Sequence, residues 1–557
     1  MKRYWGGAGG ATAWALALAL AIVVAGQVFA TKLSIYASST FMASLAGRQA
    51  AAFYHSALLS FGAMTMTMAG LALSLFLRQT IEIRWRGCLT ADYLSRWLDG
   101  RRFHFMELLG TIDNPEQRIQ EDAMLVCRST LTLAAGVAQA LGTLVAIGPV
   151  LWTGSQPLPI WLGDLPIVLP HTLFTVAILY ALATSLLVHL VGRAVSRFAI
   201  IQQRYEADFR LGMVRVRENA EQIAFYGGEA DERLLLDERF DAVRGNWGQL
   251  IIRSFRVMAV QNVLTWASTM LPTFISAPSY FSGHIALGRL MQLNSTFSSF
   301  GIQIMWFVQS YREIADWRSY IERLRSLEAV LDTQQAAGIE ILQGADELAV
   351  HDLDVRLPDK SSLFQLDGPL AVPGTRLLIQ GRSGTGKSTL LRALAGLWPY
   401  GSGQVFQPGA AMMFVPQKSY MVAGSLRMVL SYPAGPEHFD DRAIARALET
   451  VRLSNLADRL DSAETWQKIL SPGEQQRIAV ARVLLHRPRF LFLDEVTSAL
   501  DPETELAIYS ALVEALPESA IVSVAHRRAL AAFHDRIVVL NSPQPRVRVI
   551  VRPAGNP

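Results

Sequence analysis

A glycine-rich loop in the last third of the chain is the segment whose residue types and spacing point most directly to chemistry. Residues 381–388 read Gly-Arg-Ser-Gly-Thr-Gly-Lys-Ser and match the pattern G-x-x-x-x-G-K-[ST] in full. Residues 376–380 before it, Arg-Leu-Leu-Ile-Gln, predict a buried strand, and residues 388–395 predict a helix. In such a unit the backbone N–H groups turn toward phosphate oxygens, Lys387 pairs the β- and γ-phosphates, and Ser388 binds Mg²⁺. The predicted nucleotide-binding residues of this loop are Gly381, Arg382, Ser383, Gly384, Thr385, Gly386, Lys387, Ser388 and Thr389.

An apolar segment farther along the chain ends in two acidic residues. Residues 489–493, Arg-Phe-Leu-Phe-Leu, predict a strand that is followed directly by Asp494 and Glu495. Asp494 suits the coordination shell of Mg²⁺, and Glu495 suits the polarisation of an attacking water molecule. Acids at the end of a strand are common, but downstream of a phosphate-binding loop they indicate a site of nucleotide hydrolysis.

The composition of the whole chain indicates that a large part of it lies in lipid. Of its 557 residues 51% are hydrophobic and only 18% are charged, whereas soluble chains carry about 25% charged residues. The mean hydropathy is +0.25. This balance excludes a disordered protein, and two cysteines exclude a disulfide scaffold.

Six stretches without Asp, Glu, Lys or Arg are long enough to cross a bilayer, which needs about 20 apolar residues as helix. A signal peptide that ends at Val28-Phe29-Ala30 is the alternative for the first stretch. Cleavage of such a signal peptide would leave five spans, an odd number, so we interpret the first stretch as a span. The predicted spans are residues 11–30, 51–77, 129–152, 167–191, 257–277 and 290–308.

The distribution of arginine orients these spans. Residues 78–128 contain eight Arg and residues 192–254 contain ten, whereas residues 153–166 contain no Lys or Arg. Positive charge stays on the cytoplasmic side, so both chain ends and the two long connectors are predicted to be cytoplasmic. The sequence pI near 9.0 then reflects topology, and we expect no nucleic-acid partner.

The predicted domains follow from this division. Residues 1–340 form a six-helix α transmembrane domain, and residues 341–557 form an α/β P-loop ATPase domain, so that the fold class is multidomain. We expect the connectors to be long helices that continue beyond the membrane.

Further motifs resemble those of the ABC-transporter ATPases. Residues 470–477, Leu-Ser-Pro-Gly-Glu-Gln-Gln-Arg, are similar to the signature sequence of that family. Gln417 matches its Q-loop, Asp501 its D-loop and His526 its switch histidine. Pro472 and Glu474 depart from the signature, in which Gly and Gln are usual. The aromatic residue that stacks on adenine is not evident, since Leu357 occupies about its place.

The resemblance implies a half-transporter with an exporter-type membrane fold that forms a homodimer and hydrolyses ATP with Mg²⁺. Two ATPase domains would enclose two ATP molecules head to tail. Glu495 is expected to act as general base, and His526 and Lys387 to complete the catalytic set. Ser388, Gln417 and Asp494 are the expected metal ligands. The remaining residues expected at the nucleotide are Ser471, Gly473, Glu474 and Asp501.

The membrane half resembles the bacterial BacA-related peptide and cobalamin transporters and the peroxisomal fatty-acyl half-transporters. Residues 83–90 and 113–119 carry this resemblance, and residues 217–228 resemble the EAA-like motif of the group. The resemblance implies that this last segment faces the ATPase domain, so Glu218 and Glu221 are coupling candidates. A solvated helix face is the alternative for these charges.

The bacterial branch predicts import of hydrophilic peptides, of the antimicrobial type, or of cobalamin-like solutes across the inner membrane, with the ATPase domain in the cytoplasm. An exporter of peptides, drugs or lipids, a tethered soluble-type ABC ATPase, and an ion-driven carrier with a vestigial ATPase domain are the alternatives. Polar residues in the last two spans predict either a water-filled cavity or helix–helix hydrogen bonds. These residues are Gln261, Asn262, Gln292, Asn294 and Gln303.

Overall fold

Helices of up to 53 residues dominate the N-terminal part of the computed structural model. The chain divides into two units, Met1–Asp332 and Thr333–Pro557, and each is described by itself. The structure describes residues 2–7, 9–154, 158–162, 165–169, 171–333, 338–382, 384–525, 527–540 and 552–553.

The first unit consists of ten α-helices and one short antiparallel strand pair among the described residues. A π-helical turn joins α5 to α6. The elements are α1 (Lys2–Gly6), α2 (Gly10–Ala46), α3 (Ala50–Leu98), α4 (Arg102–Leu109), α5 (Pro115–Gln117), α6 (Ala123–Gly154), β1 (Leu158–Leu162), β2 (Leu165–Leu169), α7 (Thr172–Glu218), α8 (Ala220–Tyr226), α9 (Glu229–Phe281) and α10 (Leu287–Asp332).

Four helical segments within the described residues are long and apolar enough to cross a membrane: Gly10–Ala46, Ala50–Leu109, Pro115–Gly154 and Thr172–Glu218. The predicted spans 257–277 and 290–308 fall inside α9 and α10, which are more polar. A total of six spans therefore stays a prediction.

The fourth predicted span begins later than the apolar pattern suggests. Residues 165–169 pair with β1 as strand β2, and the helix starts only at Thr172. Pro166 and Pro170 account for this difference, because proline lacks an N–H and drives the residue before it into extended conformation.

The helices continue well past the apolar stretches, as expected for the two long connectors. Helix α3 runs 21 residues beyond Leu77, which is about 30 Å of helix. Its far end packs with α6 and α10 in a buried cluster that includes Trp85 and Leu327. Asp122, which is 3% exposed, accepts two hydrogen bonds of 2.6 and 2.7 Å from the Arg323 guanidinium. This pair fixes the end of α10 to the start of α6.

The second unit is an α/β domain with two principal sheets. Its strands are β3 (Glu340–Ala345), β4 (Leu348–Arg356), β5 (Ser362–Ala371), β6 (Arg376–Gly381), β7 (Gly401–Pro408), β8 (Met412–Val415), β9 (Gly424–Ser425), β10 (Ala463–Glu464), β11 (Phe490–Asp494), β12 (Ala520–Val524), β13 (Arg536–Leu540) and β14 (Arg552–Pro553). Its helices are α11 (Lys387–Leu394), α12 (Leu426–Ser431), α13 (Asp441–Thr450), α14 (Trp466–Ile469), α15 (Pro472–His486) and α16 (Pro502–Ala515).

The larger sheet has the strand order β14-β13-β6-β12-β11-β8, and all of its strands except β14 are parallel to their neighbours. The smaller sheet has the order β3-β7-β4-β5. The residues of β11 and β12 are almost all buried, as is typical of parallel strands covered on both faces. The multidomain fold class predicted from the sequence is confirmed.

Candidate functional site

The carboxyl ends of four adjacent parallel strands meet at one edge of the larger sheet. The glycine-rich loop follows β6, and β11 ends at Asp494. Gln417 comes two residues after β8. In parallel α/β sheets ligands bind at the carboxyl ends of the strands. The topology therefore brings three separate predicted motifs to one place.

Two of the predicted site residues, Ser383 and His526, lie outside the described residues. His526 comes two residues after the end of β12, the strand between β6 and β11.

The glycine-rich loop has the strand–loop–helix geometry predicted from its sequence. Gly384 and Gly386 have φ angles of +81° and +91°, values that only glycine adopts readily. Lys387 opens helix α11 and is 5% exposed. Its Nζ donates to the carbonyl oxygens of Gly381 and Arg382 at 3.0 and 3.1 Å. The ammonium group is thus held inside the loop, where a phosphate group needs positive charge.

The hydroxyl of Ser388 and the carboxylate of Asp494 form the oxygen cluster expected of a magnesium site. Ser388 Oγ donates to Asp494 Oδ1 at 3.0 Å. Burial raises the pKa of Asp494 above its ordinary value, an effect that the Ser388 hydrogen bond opposes and the neighbouring Glu495 carboxylate reinforces. Hard oxygen ligands suit Mg²⁺, and a poorly solvated carboxylate gains from a nearby cation. The residues present therefore fit the metal.

The carboxylate of Glu495 is positioned by its backbone and by Gln417. Glu495 has a φ of +47°, in the left-handed region, and its N–H donates to the carbonyl of Val524 at 3.1 Å. A non-glycine residue in this region costs on the order of 1 kcal/mol. Gln417 Nε2 donates to Glu495 Oε2 at 3.0 Å. The predicted Q-loop residue and the predicted general base are thus direct neighbours.

The two departures from the signature sequence belong to one helix cap. Ser471 is the N-cap of α15, Pro472 occupies the first helical position, and Glu474 is the third. The carboxylate of Glu474 accepts from the N–H and the hydroxyl of Ser471 at 2.9 and 2.8 Å. Ser471 Oγ in turn accepts from the N–H of Glu474 at 3.3 Å. Proline at the first position and a capping box both favour a helix start here.

Replacing Glu474 with alanine is expected to lower the free energy of unfolding of the ATPase domain by about 1 kcal/mol, because half of the capping box is lost. For a domain of this size the melting temperature falls by about 2–4 °C. Differential scanning calorimetry of the purified full chain at pH 7 measures the shift.

Two comparisons make this prediction specific. Glu474→Gln keeps an acceptor and should recover most of the lost stability, whereas Glu518→Ala, at an exposed position, should not move the melting temperature. The hydrogen bonds from Ser471 lower the pKa of Glu474. The stabilisation of the domain by this cap is therefore complete at pH values above the ordinary glutamate pKa of about 4.3. This stabilisation is lost as the pH falls through the lowered pKa of Glu474 in the folded protein. Equal melting temperatures for Glu474→Ala and the parent at pH 7 would contradict the capping role.

The predicted D-loop residue is also a helix cap. Asp501 is the N-cap of α16 and accepts from the N–H of Thr504 at 2.9 Å. This hydrogen bond lowers the pKa of the Asp501 carboxyl. Gly473 lies close by, since a Cβ added to it would be 3.3 Å from the carbonyl oxygen of Ala499. The signature segment and the D-loop segment of one chain therefore pack together.

Gln476, which sequence reasoning did not single out, joins these two segments. Its Nε2 donates to Ser498 Oγ at 3.1 Å, and its Oε1 accepts from the N–H of Ala499 at 2.9 Å. The side chain is 6% exposed. Its position within the signature motif, residues 470–477, is the sequence feature that could have identified it as a site residue.

Sequence reasoning also missed a buried carboxylate behind the D-loop. Glu505 accepts from Thr497 Oγ1 at 2.7 Å and from Arg527 Nη1 at 3.0 Å. Arg527 also donates to the carbonyl of Leu500 at 3.0 Å and directly follows His526. Only the four-residue spacing between Asp501 and Glu505, which places both on one side of α16, hints at this role. The bridge ties the segment that carries His526 to the D-loop.

The other predicted site residues lie as follows. Thr389 lies in the first turn of α11 and is half-buried, and Thr385 Oγ1 donates to the carbonyl of Arg382 at 2.8 Å. Glu218 is the last residue of α7, and Glu221 lies in the first turn of α8. Both glutamates are exposed, so their coupling role stays a prediction.

Comparisons with known proteins agree with this arrangement. Residues 7–281 match the family described as ABC transporter transmembrane region 2, and residues 371–498 match the family described as ABC transporter. The inner membrane ABC transporter ATP-binding protein YddA of Escherichia coli is 32% identical over 83% of this chain and 82% of its own length.

More distant relatives come from eukaryotes. The chloroplastic ABC transporter D family member 2 of Arabidopsis thaliana is 30% identical over 85% of this chain and 75% of its own length. The human lysosomal cobalamin transporter ABCD4 is 28% identical over 83% of this chain and 80% of its own. The solved structure of a bacterial Atm1-family ABC exporter with ATP bound has a TM-score of 0.71 at 19% identity, covering 95% of this chain and 94% of that one, which shows a shared fold.

Proposed function

Because the chain belongs to the ABC transporter family, as a half-transporter with a membrane domain fused to an ATPase domain, we propose that it imports hydrophilic peptides or cobalamin-like solutes. ATP hydrolysis coupled to transport is the activity of the family. The observation that carries the cargo proposal is similarity along both domains to a protein named as a cobalamin transporter. The inner-membrane relative of Escherichia coli supports a bacterial inner-membrane location.

In the proposed hydrolytic site each residue acts at a defined atom. Lys387 Nζ would exchange its bonds to the loop carbonyls for the β- and γ-phosphate oxygens. Glu495 would orient and deprotonate the attacking water, while Gln417 holds its carboxylate. Ser388, Asp494 and Gln417 would hold Mg²⁺, which neutralises charge on the phosphates when bound. His526 would contact the γ-phosphate.

A homodimer is part of the proposal, because each chain carries one set of ATPase motifs. Ser471 and Gly473 of one copy would face the ATP on the glycine-rich loop of the other. The Ser471 hydroxyl, which donates to Glu474 in the cap, would turn to donate to a phosphate of this ATP at the N-terminus of α15, where the helix dipole favours an anion. Asp501 caps the neighbouring helix in the same surface.

Transport direction can be tested in sealed membrane vesicles of defined orientation. Import predicts that right-side-out vesicles loaded with ATP accumulate labelled cyanocobalamin or a labelled neutral peptide. Inside-out vesicles preloaded with the solute should lose it when ATP is added outside. The fold does not set the direction, so the orientation of the vesicles decides it. ATP-dependent accumulation in inside-out vesicles alone would replace import with export.

A further inference from the structure

A cavity of about 500 Å³ lies between helices α7, α9 and α10 of the membrane unit. Its walls come from residues 180–188 of α7, 261–269 of α9 and 297–309 of α10. The three wall segments fall within the fourth, fifth and sixth predicted spans. Only Gln309 lies outside, one residue past the end of the sixth span. A helix rises 1.5 Å per residue, so the walls begin about 12–18 Å from the helix ends that are predicted to face away from the cytoplasm. From that depth the walls run to the cytoplasmic ends of the predicted spans, where Gln261, Asn262 and Gln309 lie.

The polar groups in this cavity are amides and hydroxyls without charge. Gln261, Asn262 and Gln309 supply three carboxamides, and Thr265 and Ser298 are among the hydroxyl residues. No Asp, Glu, Lys or Arg is among the lining residues that the structure describes. The hydroxyls donate largely to helix carbonyls, as Ser298 Oγ does to Ser268 at 3.3 Å, and so retain acceptor capacity.

The three carboxamides differ from Asn294 and Gln292; Gln303, which also makes no side-chain hydrogen bond within the described residues, lies outside the cavity. Asn294 donates to Thr273 Oγ1 at 2.6 Å, which is a hydrogen bond between α10 and α9, and Gln292 accepts from Arg289 at 2.5 Å. Within the described part of the chain, by contrast, the side chains of Gln261, Asn262 and Gln309 make no hydrogen bond to another residue. The two explanations left open by the sequence thus apply to different residues. Helix–helix bonding accounts for Asn294, and an open cavity accounts for Gln261 and Asn262.

Unpaired carboxamides on membrane-spanning helices need water or a ligand as partner, because an unsatisfied polar group in hydrocarbon costs several kcal/mol. Gln261, Asn262 and Gln309 are exposed on the cavity side of their helices. Water or a solute with its own amide and hydroxyl groups supplies the missing bonds, whereas lipid tails do not. A ligand with a net negative charge on its phosphates would instead call for Arg or Lys.

The nearest arginine on α10 is already engaged. Arg312 lies one turn beyond Gln309, toward the cytoplasmic end of the helix, where its guanidinium contacts Asp316 at 4.0 Å and Ser196 at 3.4 Å. It is not a lining residue of the cavity. The lining residues that the structure describes therefore carry no charge.

We propose that this cavity is a cargo subsite for an uncharged, amide-rich solute, and that Gln261 and Asn262 are specificity-determining residues within it. The inference rests on the proposed transport function and narrows its substrate class. A volume of about 500 Å³ lies within the range of about 300–1,000 Å³ typical of small-molecule sites. Its lining offers no counter-charge to the pyrophosphate of an acyl-CoA.

The test uses the full-length protein in lipid nanodiscs and measures binding of three labelled probes by equilibrium dialysis. Cyanocobalamin, whose single phosphodiester charge is balanced by its cobalt–corrin unit, and an N-acetylated, C-amidated neutral tetrapeptide represent net-neutral amide-rich solutes. Palmitoyl-CoA represents anionic ones. The double variant Gln261→Leu/Asn262→Leu should weaken binding of at least one amide-rich probe by roughly 5- to 30-fold, as expected for two lost hydrogen bonds. Gln303→Leu makes the same change on α10 outside the cavity and should leave binding unchanged.

Accessibility of Asn262→Cys, in a chain with Cys88→Ser and Cys127→Ser, provides a second measurement that does not need the apolar variants to fold. A water-soluble maleimide should label it, and the amide-rich probe that binds should slow labelling several-fold. Cross-linking of Asn262→Cys to a second copy with no labelling would show that a partner covers the cavity, and would overturn the inference.

The remaining outcomes also decide the question. Binding of neither amide-rich probe, equal binding to the double variant and the parent, an equal loss in Gln303→Leu, or weakened binding of palmitoyl-CoA in the double variant would each overturn the subsite. Failure of the proposed function is separate, because it means that the parent protein moves no hydrophilic solute in either vesicle orientation. Binding in nanodiscs does not depend on transport, so either idea can fail alone.

Discussion

Replacing Glu495 with glutamine is expected to reduce the kcat for ATP hydrolysis at least about a hundredfold, which is the usual contribution of a general base. The substitution preserves the shape of the side chain and an acceptor for Gln417, 3.0 Å away. It removes the charge that accepts the proton of water. Because Lys387 and the glycine-rich loop are untouched, the Kd for ATP should change little.

Phosphate release gives kcat, and fluorescence of a nucleotide analogue gives the Kd. Glu503→Gln makes the same chemical change at an exposed position in the first turn of α16 and should leave both quantities unchanged. An undiminished kcat in purified Glu495→Gln would remove the assignment of Glu495 as general base.

Lys387→Ala is expected to weaken ATP binding by about 10- to 100-fold, the range for loss of a hydrogen bond to a charged group. The effect should fall on the Kd first, because the ammonium is held inside the loop at 3.0 and 3.1 Å from the Gly381 and Arg382 carbonyls. The same fluorescence titration measures it.

Arg442→Ala, which removes one exposed positive charge from α13 of the same domain, is the matched control and should bind ATP like the parent. If the two variants bind ATP equally well, the loop does not hold the phosphates in the way proposed. A lower kcat with unchanged Kd would place Lys387 in the transition state only.

Local motifs were predictable because their chemistry is encoded within a few consecutive residues. The glycine-rich loop lies between β6 and α11 as its sequence predicts. Glu474 shows how a family comparison can obscure a local rule. It stood out as a departure from the signature, yet Ser471 followed three residues later by glutamate is itself the pattern of a capping box.

Contacts that depend on strand order were beyond the sequence. The hydrogen bond between Ser388 and Asp494 spans 106 positions of the chain and exists because β12 alone separates β6 from β11. The burial of Glu505 is likewise a tertiary property, since a glutamate in the first turn of a helix ordinarily stays in solvent. Hydropathy identified apolar helices well and their ends less well, as the late start of α7 at Thr172 shows.

The D-loop is held from both sides, and this has a consequence for the timing of the ATPase cycle. Gln476 attaches it to helix α15, and Glu505 binds Arg527, which in the sequence directly follows His526, the predicted switch histidine. A displacement at any one of these points is shared by the other two, because buried hydrogen-bonded networks shift between discrete arrangements rather than stretch. In a dimer whose sites each borrow a signature segment from the other copy, such a linkage would keep the two hydrolysis events in step.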